Sequence, residues 1–233
     1  MKSLKLIFTA TFLLATLATC ALAQDDYKKW EFFGGYSAMQ FDNIGGDTGN
    51  TNIDNVLDGR NTLRGFNASI TRNFHPYVGV TFDYSLHLRE DNIQNIPGAT
   101  GTVDTSVQNF LGGLTFKNNA TDARFKPFGH VLFGVATQKE DLDSPQLATA
   151  FGISDFHANE TSFAMAFGGG LDIRVNDRID IRAVQIDWNI IRRGDQQTGI
   201  VLVPTPHQTV GQPFVVPGSP QDNLRLSVGI VIH

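Results

Sequence analysis

Between Tyr77 and Leu88 the chain alternates without interruption between apolar residues and small or polar residues. Every second position is Val, Phe, Tyr or Leu, and the positions between them are Gly, Thr, Asp, Ser and His. Successive side chains of a β-strand point to opposite faces, so this pattern predicts a strand with one apolar face and one polar face. Similar alternation recurs along the chain and continues to its end.

The pattern predicts eight strands of this kind. Most of them exceed the 5 or 6 residues usual in globular proteins, and they match the about 9 to 11 residues that a tilted strand needs to cross a bilayer. The lengths therefore favour a membrane over a soluble β-sandwich. The predicted strands are 30–41, 63–74, 77–88, 105–117, 128–138, 161–175, 179–191 and 223–233.

Short and long connections alternate between these strands. The short ones are 73–76, 118–127 and 176–178, and the long ones are 42–62, 89–103, 139–160 and the proline-rich 192–222. Short turns on one rim and long loops on the other are typical of outer-membrane barrels. In a compact soluble domain, four such long loops would be unusual.

Alternation alone does not say which face meets solvent, because a soluble lipocalin-type barrel carries its apolar face inside. Here the less apolar positions are rich in Gly, Ala and Ser and also carry charges. Small residues suit a narrow lumen, and charges cost less there than against lipid. We therefore predict an all-β, eight-stranded antiparallel up-and-down transmembrane barrel, with short periplasmic turns and long extracellular loops.

The charged and histidine positions of the inward face are the candidates for chemistry. They could form an ion or proton path, or they could pair within a filled core, since eight strands enclose only enough space for side chains. Arg182 falls on the outward positions, so it lies near the short-turn rim or a β-bulge turns it inward. The candidates are Glu31, Asp83, His87, His130, Asp172, Arg174, Arg182, Asp187 and Arg225.

The N-terminus has the features of a secretory signal peptide. Lys2 and Lys5 precede an apolar run, and Ala21-Leu22-Ala23 is a small-x-small cleavage site. We therefore expect residues 1–23 to be removed and residues 24–233 to form the barrel domain. The single cysteine, Cys20, lies in a stretch that loosely resembles a lipoprotein processing site, which leaves lipidation as an alternative.

Composition narrows the function further. The formal net charge of −5 offers no basic surface for nucleic acid. Beyond Ala23 no apolar run is long enough for a transmembrane helix. No residue pattern predicts a catalytic centre, a cofactor or a metal site.

Several segments resemble strands of the small OmpA-like and OmpX-like outer-membrane β-barrel domains. The resemblance implies outer-membrane lipid and lipopolysaccharide as surroundings, and handling by the barrel-assembly machinery. Members commonly end in an aromatic residue that this machinery recognises, whereas this chain ends in His233. The segments are 30–37 (WEFFGGYS), 66–71 (FNASIT), 76–80 (PYVGV), 127–134 (PFGHVLFG), 167–174 (FGGGLDIR), 181–188 (IRAVQIDW) and 223–230 (NLRLSVGI).

These observations predict a monomer of a Gram-negative outer membrane with a structural or surface-interaction role. Loop 192–222 is the candidate contact region, because the apolar runs 200–203 and 214–216 interrupt an otherwise polar loop. A small gated channel is one alternative. A soluble periplasmic lipocalin-like binding protein, with the apolar face inside, is the other.

Overall fold

The structure is a computed structural model of the chain. It describes residues 27–41, 61–93, 101–119, 123–143, 156–194, 196–204, 209–216 and 220–233. The predicted signal peptide with Cys20, and the greater part of the first three long connections, lie outside the described residues.

Ten strands follow one another along the described chain, and eight of them form the barrel. The barrel strands are β1 (Trp30–Phe41), β2 (Asn61–His75), β3 (Val78–Ile93), β4 (Gly101–Lys117), β5 (Phe125–Asp143), β6 (Phe156–Arg174), β7 (Ile179–Arg192) and β10 (Pro220–Ile232). The other two, β8 (Gln196–Pro204) and β9 (Thr209–Val216), form a separate two-stranded sheet. No helix that could cross a bilayer occurs in the part of the chain that the structure describes.

Each barrel strand pairs antiparallel with the preceding and the following barrel strand, so β7 pairs with β10. The barrel closes where β1 pairs with β10. Following backbone partners once around the wall from Trp30 leads back to β1 at Gln40, ten residues further on. Such a stagger requires strongly tilted strands and leaves an interior that side chains can fill. The predicted eight-stranded antiparallel barrel is confirmed.

The strands agree with the predicted ranges but reach further at the long-loop end. The strand predicted at 128–138, for example, is β5, which runs from Phe125 to Asp143. Its hairpin with β6 continues into the mostly polar residues 139–143 and 156–160. Backbone pairing continues there because it does not depend on an apolar face. Alternation of apolar residues therefore locates the membrane-crossing part of each strand better than its end.

The sheet of β8 and β9 was not predicted from the sequence pattern. It lies within the proline-rich connection, and Pro213 is the backbone partner of Ile200. Proline cannot donate to a β-ladder and is therefore confined to edge strands or bulges. In a two-stranded sheet both strands are edges, so a proline is tolerated there.

The outer face of the wall is apolar. Phe82 is 68 % exposed, and aromatic or aliphatic side chains dominate the exposed positions of every barrel strand. Trp30 and Tyr77 are exposed near the short-turn end, and Trp188 is exposed nearer the long loops, as expected for residues at the two membrane interfaces. The soluble lipocalin-like alternative is therefore wrong, because an aqueous surface would not expose so large an apolar area.

Candidate functional site in the barrel lumen

The periplasmic half of the lumen holds a row of alternating charges. On β4, Lys117 Nζ lies 2.6 Å from Glu31 Oε2 and 2.8 Å from Asp172 Oδ2. On the far side of Asp172, the Arg182 side chain donates from Nε to Oδ1 at 2.8 Å and from Nη2 to Oδ2 at 3.1 Å. Asn73 Nδ2 donates to the second oxygen of Glu31 at 2.7 Å. Every charge in this row is buried and paired.

A β-bulge turns Arg182 into the lumen. Backbone register shifts opposite this part of β7 on both neighbouring strands, and Ala183 and Val184 both face outward in succession. The guanidinium carbon then lies 4.3 Å from the Phe33 ring centroid and 4.2 Å from that of Phe128. The extra residue of a bulge changes which face later side chains use, so strict alternation misplaces Arg182.

Arg225 is the centre of the middle part of the lumen. Its Nη1 donates to Asp83 Oδ1 at 2.8 Å, and its Nε donates to Asp187 Oδ2 at 2.9 Å. Asp187 also contacts His130 Nε2 at 2.8 Å through its other oxygen, and Asn67 Nδ2 donates to Asp83 at 2.7 Å. Arg225 is completely buried, so both carboxylates are needed to compensate its lost hydration.

Gln185 joins these two groups into one network. Its carbonyl oxygen accepts from Arg182 Nη1 at 2.8 Å, and its amide donates to Asp187 at 2.7 Å. The joined network, which we call the luminal network, contains four carboxylates, three permanent cations and one histidine. Its ionisable members are Glu31, Asp83, Asp172, Asp187, Lys117, Arg182, Arg225 and His130.

His87 lies higher in the lumen and belongs to a hydroxyl cluster. Its Nε2 is 2.8 Å from Ser37 Oγ, to which Ser227 Oγ donates at 2.9 Å. Within the described residues no carboxylate makes a hydrogen bond with His87, and its Nδ1 has no partner. The His87 imidazole therefore lacks the orienting acid of a catalytic triad.

The extracellular part of the lumen is closed by an apolar cluster together with buried amide side chains such as Gln138 and Gln221, whose Nε2 and Oε1 atoms lie 2.8 Å apart. This apolar cluster consists of Met39, Leu63, Val107, Leu111, Leu132, Ala136, Ala164, Ala166 and Ile191. Below it, a cavity of about 10 Å³ among Glu31, Asp83 and Arg182 has room for about one water molecule. Packed side chains therefore occupy the lumen along its described length.

Arg174 is half-exposed at the periplasmic rim rather than buried with the luminal network. It lies at the end of β6, where its guanidinium pairs with the exposed Asp177 of the β6–β7 turn. Its position among the inward-facing residues of the strand predicted a side chain in the lumen. The strand ends at this residue, however, and the side chain reaches solvent. The expectation for Arg174 is therefore corrected, whereas the other eight candidates are buried in the lumen.

Three charged residues at the periplasmic end were not predicted from the sequence, namely Lys117, Lys126 and Asp180. Lys117 shares the inward parity of Thr115, a signal that its terminal position on the predicted strand concealed. Lys126 Nζ lies 2.9 Å from Asp180 Oδ2, which the His233 ring contacts at the same distance. The C-terminal histidine thus faces inward, and Ile232 takes the last lipid-facing position.

Comparison with known proteins agrees with this geometry. No curated sequence matches the chain. Among solved structures, OprG from Pseudomonas aeruginosa is 15% identical and covers 90% of this chain and 98% of its own, with a TM-score of 0.55, which supports the fold. Ail of Yersinia pestis, solved with the heparin analogue sucrose octasulfate, is 13% identical over 88% of this chain and 98% of its own, with a TM-score of 0.47.

The outer membrane protease OmpT from Escherichia coli is 9% identical over 91% of this chain and 99% of its own, with a TM-score of 0.44. The sequence profile of the outer membrane protein beta-barrel domain matches residues 11–201, which is most of the chain. With a closed eight-stranded barrel and an apolar outer wall, the chain belongs to the outer membrane protein beta-barrel family and resides in the outer membrane.

Proposed function

We propose that this protein is a surface-interaction protein, in which a closed barrel anchors extracellular loops that make the contacts. The observation that carries the proposal is the sheet of β8 and β9 in the fourth long connection. Its strands run from Gln196 to Pro204 and from Thr209 to Val216, between two barrel strands that end at the extracellular rim.

A two-stranded sheet is at best marginally stable in water by itself. Within the described residues, β8 pairs only with β9, so each strand has one edge whose backbone groups are open for pairing. The apolar runs 200–203 and 214–216 lie on these strands. An open strand edge is a common means of binding an extended segment of a partner. This supports a contact role for the hairpin.

The packing of the lumen supports an anchoring role rather than a conducting one. Ion pairs fill its periplasmic half, apolar and amide side chains fill its extracellular part, and the cavity among the ion pairs has room for about one water molecule. Barrels that hold open aqueous channels have about 16 strands. We infer a lumen that does not conduct at rest.

We also infer a role without catalysis. His130 is held by Asp187, and His87 contacts only Ser37 among its described hydrogen-bond partners. Both histidines are buried beneath packed side chains, so a substrate could not approach within the about 3 Å that proton transfer requires.

Deletion of residues 199–218 tests the contact role. The matched control is deletion of residues 144–155 in the third long connection. Cells displaying each form are assayed for adhesion to abiotic plastic, to immobilised glycoprotein and to cells of the same strain. We expect the first deletion to abolish the adhesion that the full chain confers and the second to retain it. Both should keep the heat-dependent gel shift of a folded barrel. Adhesion unchanged by the first deletion would refute the proposal.

Conductance is tested separately in planar bilayers. The full chain should give no single-channel steps between acidic and neutral pH at either sign of the voltage. Reproducible unitary steps from the folded protein would favour the gated-channel alternative, with the luminal network as the barrier.

A further inference from the structure

The lipid-facing surface of β1 to β5 contains a groove of about 710 Å³. Ala68 on β2 and Gly112 on β4 are its smallest lining residues and lie on either side of β3. Ile70 and Phe82 are backbone partners on its periplasmic side, and Phe110 and Phe133 stand on its other side. The groove is therefore a depression in an otherwise even aromatic surface.

The depth of this groove depends on its small residues. A Cβ added to Gly112 would meet the Phe82 ring at 3.5 Å and the Thr81 carbonyl oxygen at 3.8 Å, which are ordinary contact distances. Gly34 is the backbone partner of Ala68, and a Cβ there would have nothing within 4 Å. A methyl group would fit at both glycine positions, so the local packing does not require glycine there.

Positive charge lies at the periplasmic end of the groove. Arg72 is the next outward position after Ile70 on β2, and its guanidinium carbon is 5.0 Å from the Trp30 ring centroid. The carbonyl of the exposed Lys29 accepts from the backbone of Asn73, which places this second cation at the same end. Within the described residues no carboxylate contacts Arg72, and the nearby Glu31 is buried and paired inside the lumen.

The opposite end of this wall carries charges of both signs, because the exposed Arg64 of β2 lies there beside two exposed carboxylates. Glu90 on β3 and Asp104 on β4 are backbone partners, and both are exposed beyond Leu88. A phosphate would be repelled by these carboxylates and attracted by the guanidinium of Arg72. The exposed charges described at the periplasmic end of β1 to β5 are all positive, whereas those at the extracellular end are mixed, so charge complementarity favours an anionic headgroup at the periplasmic end.

We propose that the groove binds one anionic phospholipid of the periplasmic leaflet. Its phosphate contacts Arg72 beside the Trp30 ring, and one acyl chain lies over Ala68 and Gly112 between the aromatic side chains. Arginine is suited to phosphate, because its planar fork of N–H groups matches the phosphate oxygens. The groove then binds an anionic phospholipid in preference to the other lipids that surround the barrel.

Native mass spectrometry of the full chain, folded in detergent, tests the proposal. The probes are phosphatidylglycerol and phosphatidylcholine with identical acyl chains, and lipid A. We expect the wild-type protein to retain phosphatidylglycerol about tenfold more than either of the others. Ala68→Phe should lose this retention by filling the groove. Val228→Phe, which adds an aromatic ring to the lipid face of β10, is the control and should keep it.

Arg72→Gln separates the headgroup from the acyl chain. This variant should bind phosphatidylglycerol and phosphatidylcholine equally, because the groove remains but the cation is gone. Gly112→Leu is a second groove-filling variant, for use if Ala68→Phe lacks the heat-dependent gel shift. Equal retention by wild type and both groove-filling variants would overturn the proposal. A wild-type preference for lipid A, or none between the two phospholipids, would overturn it as well.

Discussion

Phe82 and Asp83 are consecutive residues of β3 that lie in opposite surroundings. Phe82 is 68 % exposed on the lipid-facing surface, whereas Asp83 is 5 % exposed and bound by Arg225 and Asn67 inside the lumen. One wall of backbone therefore separates two media with opposite requirements. Lipid accepts apolar side chains without partners, whereas the lumen accepts charges only when each of them is paired.

Removal of the buried Arg225 guanidinium from the lumen should reduce the free energy of unfolding most strongly. Arg225→Leu leaves Asp83 and Asp187 buried without their shared partner, so the free energy of unfolding should fall by about 3 to 5 kcal/mol. Urea titration in phospholipid vesicles measures this change.

The triple variant with Asp83→Asn and Asp187→Asn is the control for Arg225→Leu. It removes the charges together and should recover a substantial part of the loss. A single variant as stable as wild type would contradict the assignment of these residues to a buried ion pair.

Adding a charge to the outside is expected to have the next largest effect. Phe82→Arg places a guanidinium near the bilayer midplane and should cost about 2 to 4 kcal/mol of unfolding free energy. Phe82→Leu keeps the site apolar and should cost less than about 1.5 kcal/mol. If both variants were equally stable in the same vesicles, Phe82 would not face lipid.

A single methyl group should distinguish the two faces with the smallest effect. A Cβ at Gly168 would lie 2.0 Å from Asp187 Oδ1 and 2.4 Å from the Ile186 carbonyl oxygen, so Gly168→Ala must displace both the carboxylate that binds Arg225 and His130 and the adjacent backbone. We expect a loss of about 1 to 3 kcal/mol. Gly34→Ala adds the same methyl group to open space on the lipid face and should be close to neutral. Equal effects in a denaturant titration would contradict this difference.

The assignment of side chains to the two faces could be predicted from local alternation. His87, His130 and Asp172 all lie inside, as their parity on the strands indicates. The exception is Arg182, for which alternation left two directions open, and a bulge in β7 directs it into the lumen. Arg174 was misplaced for a related reason, since parity does not show where a strand ends and a turn begins.

The partners within the luminal network could not be predicted in this way. Arg225 and Asp83 are 142 residues apart, and they meet only because a closed barrel brings β10 and β3 across the same lumen. Lys117 was not predicted as a network residue, because it pairs with two carboxylates that are distant in the chain rather than with its sequence neighbours.

The sequence by itself determined that the chain forms a barrel with an apolar outer wall, because side-chain alternation is a local property of each strand and the less apolar positions carry small and charged residues that suit a narrow lumen. It also determined that short turns and long loops alternate, since the spacing between predicted strands can be measured in the sequence. Only the tertiary structure decided which charges pair, how the bulge directs Arg182, and where small residues leave a groove beside Arg72. These features depend on strand register and on the stagger of the closed barrel, which bring together residues that are remote in the chain.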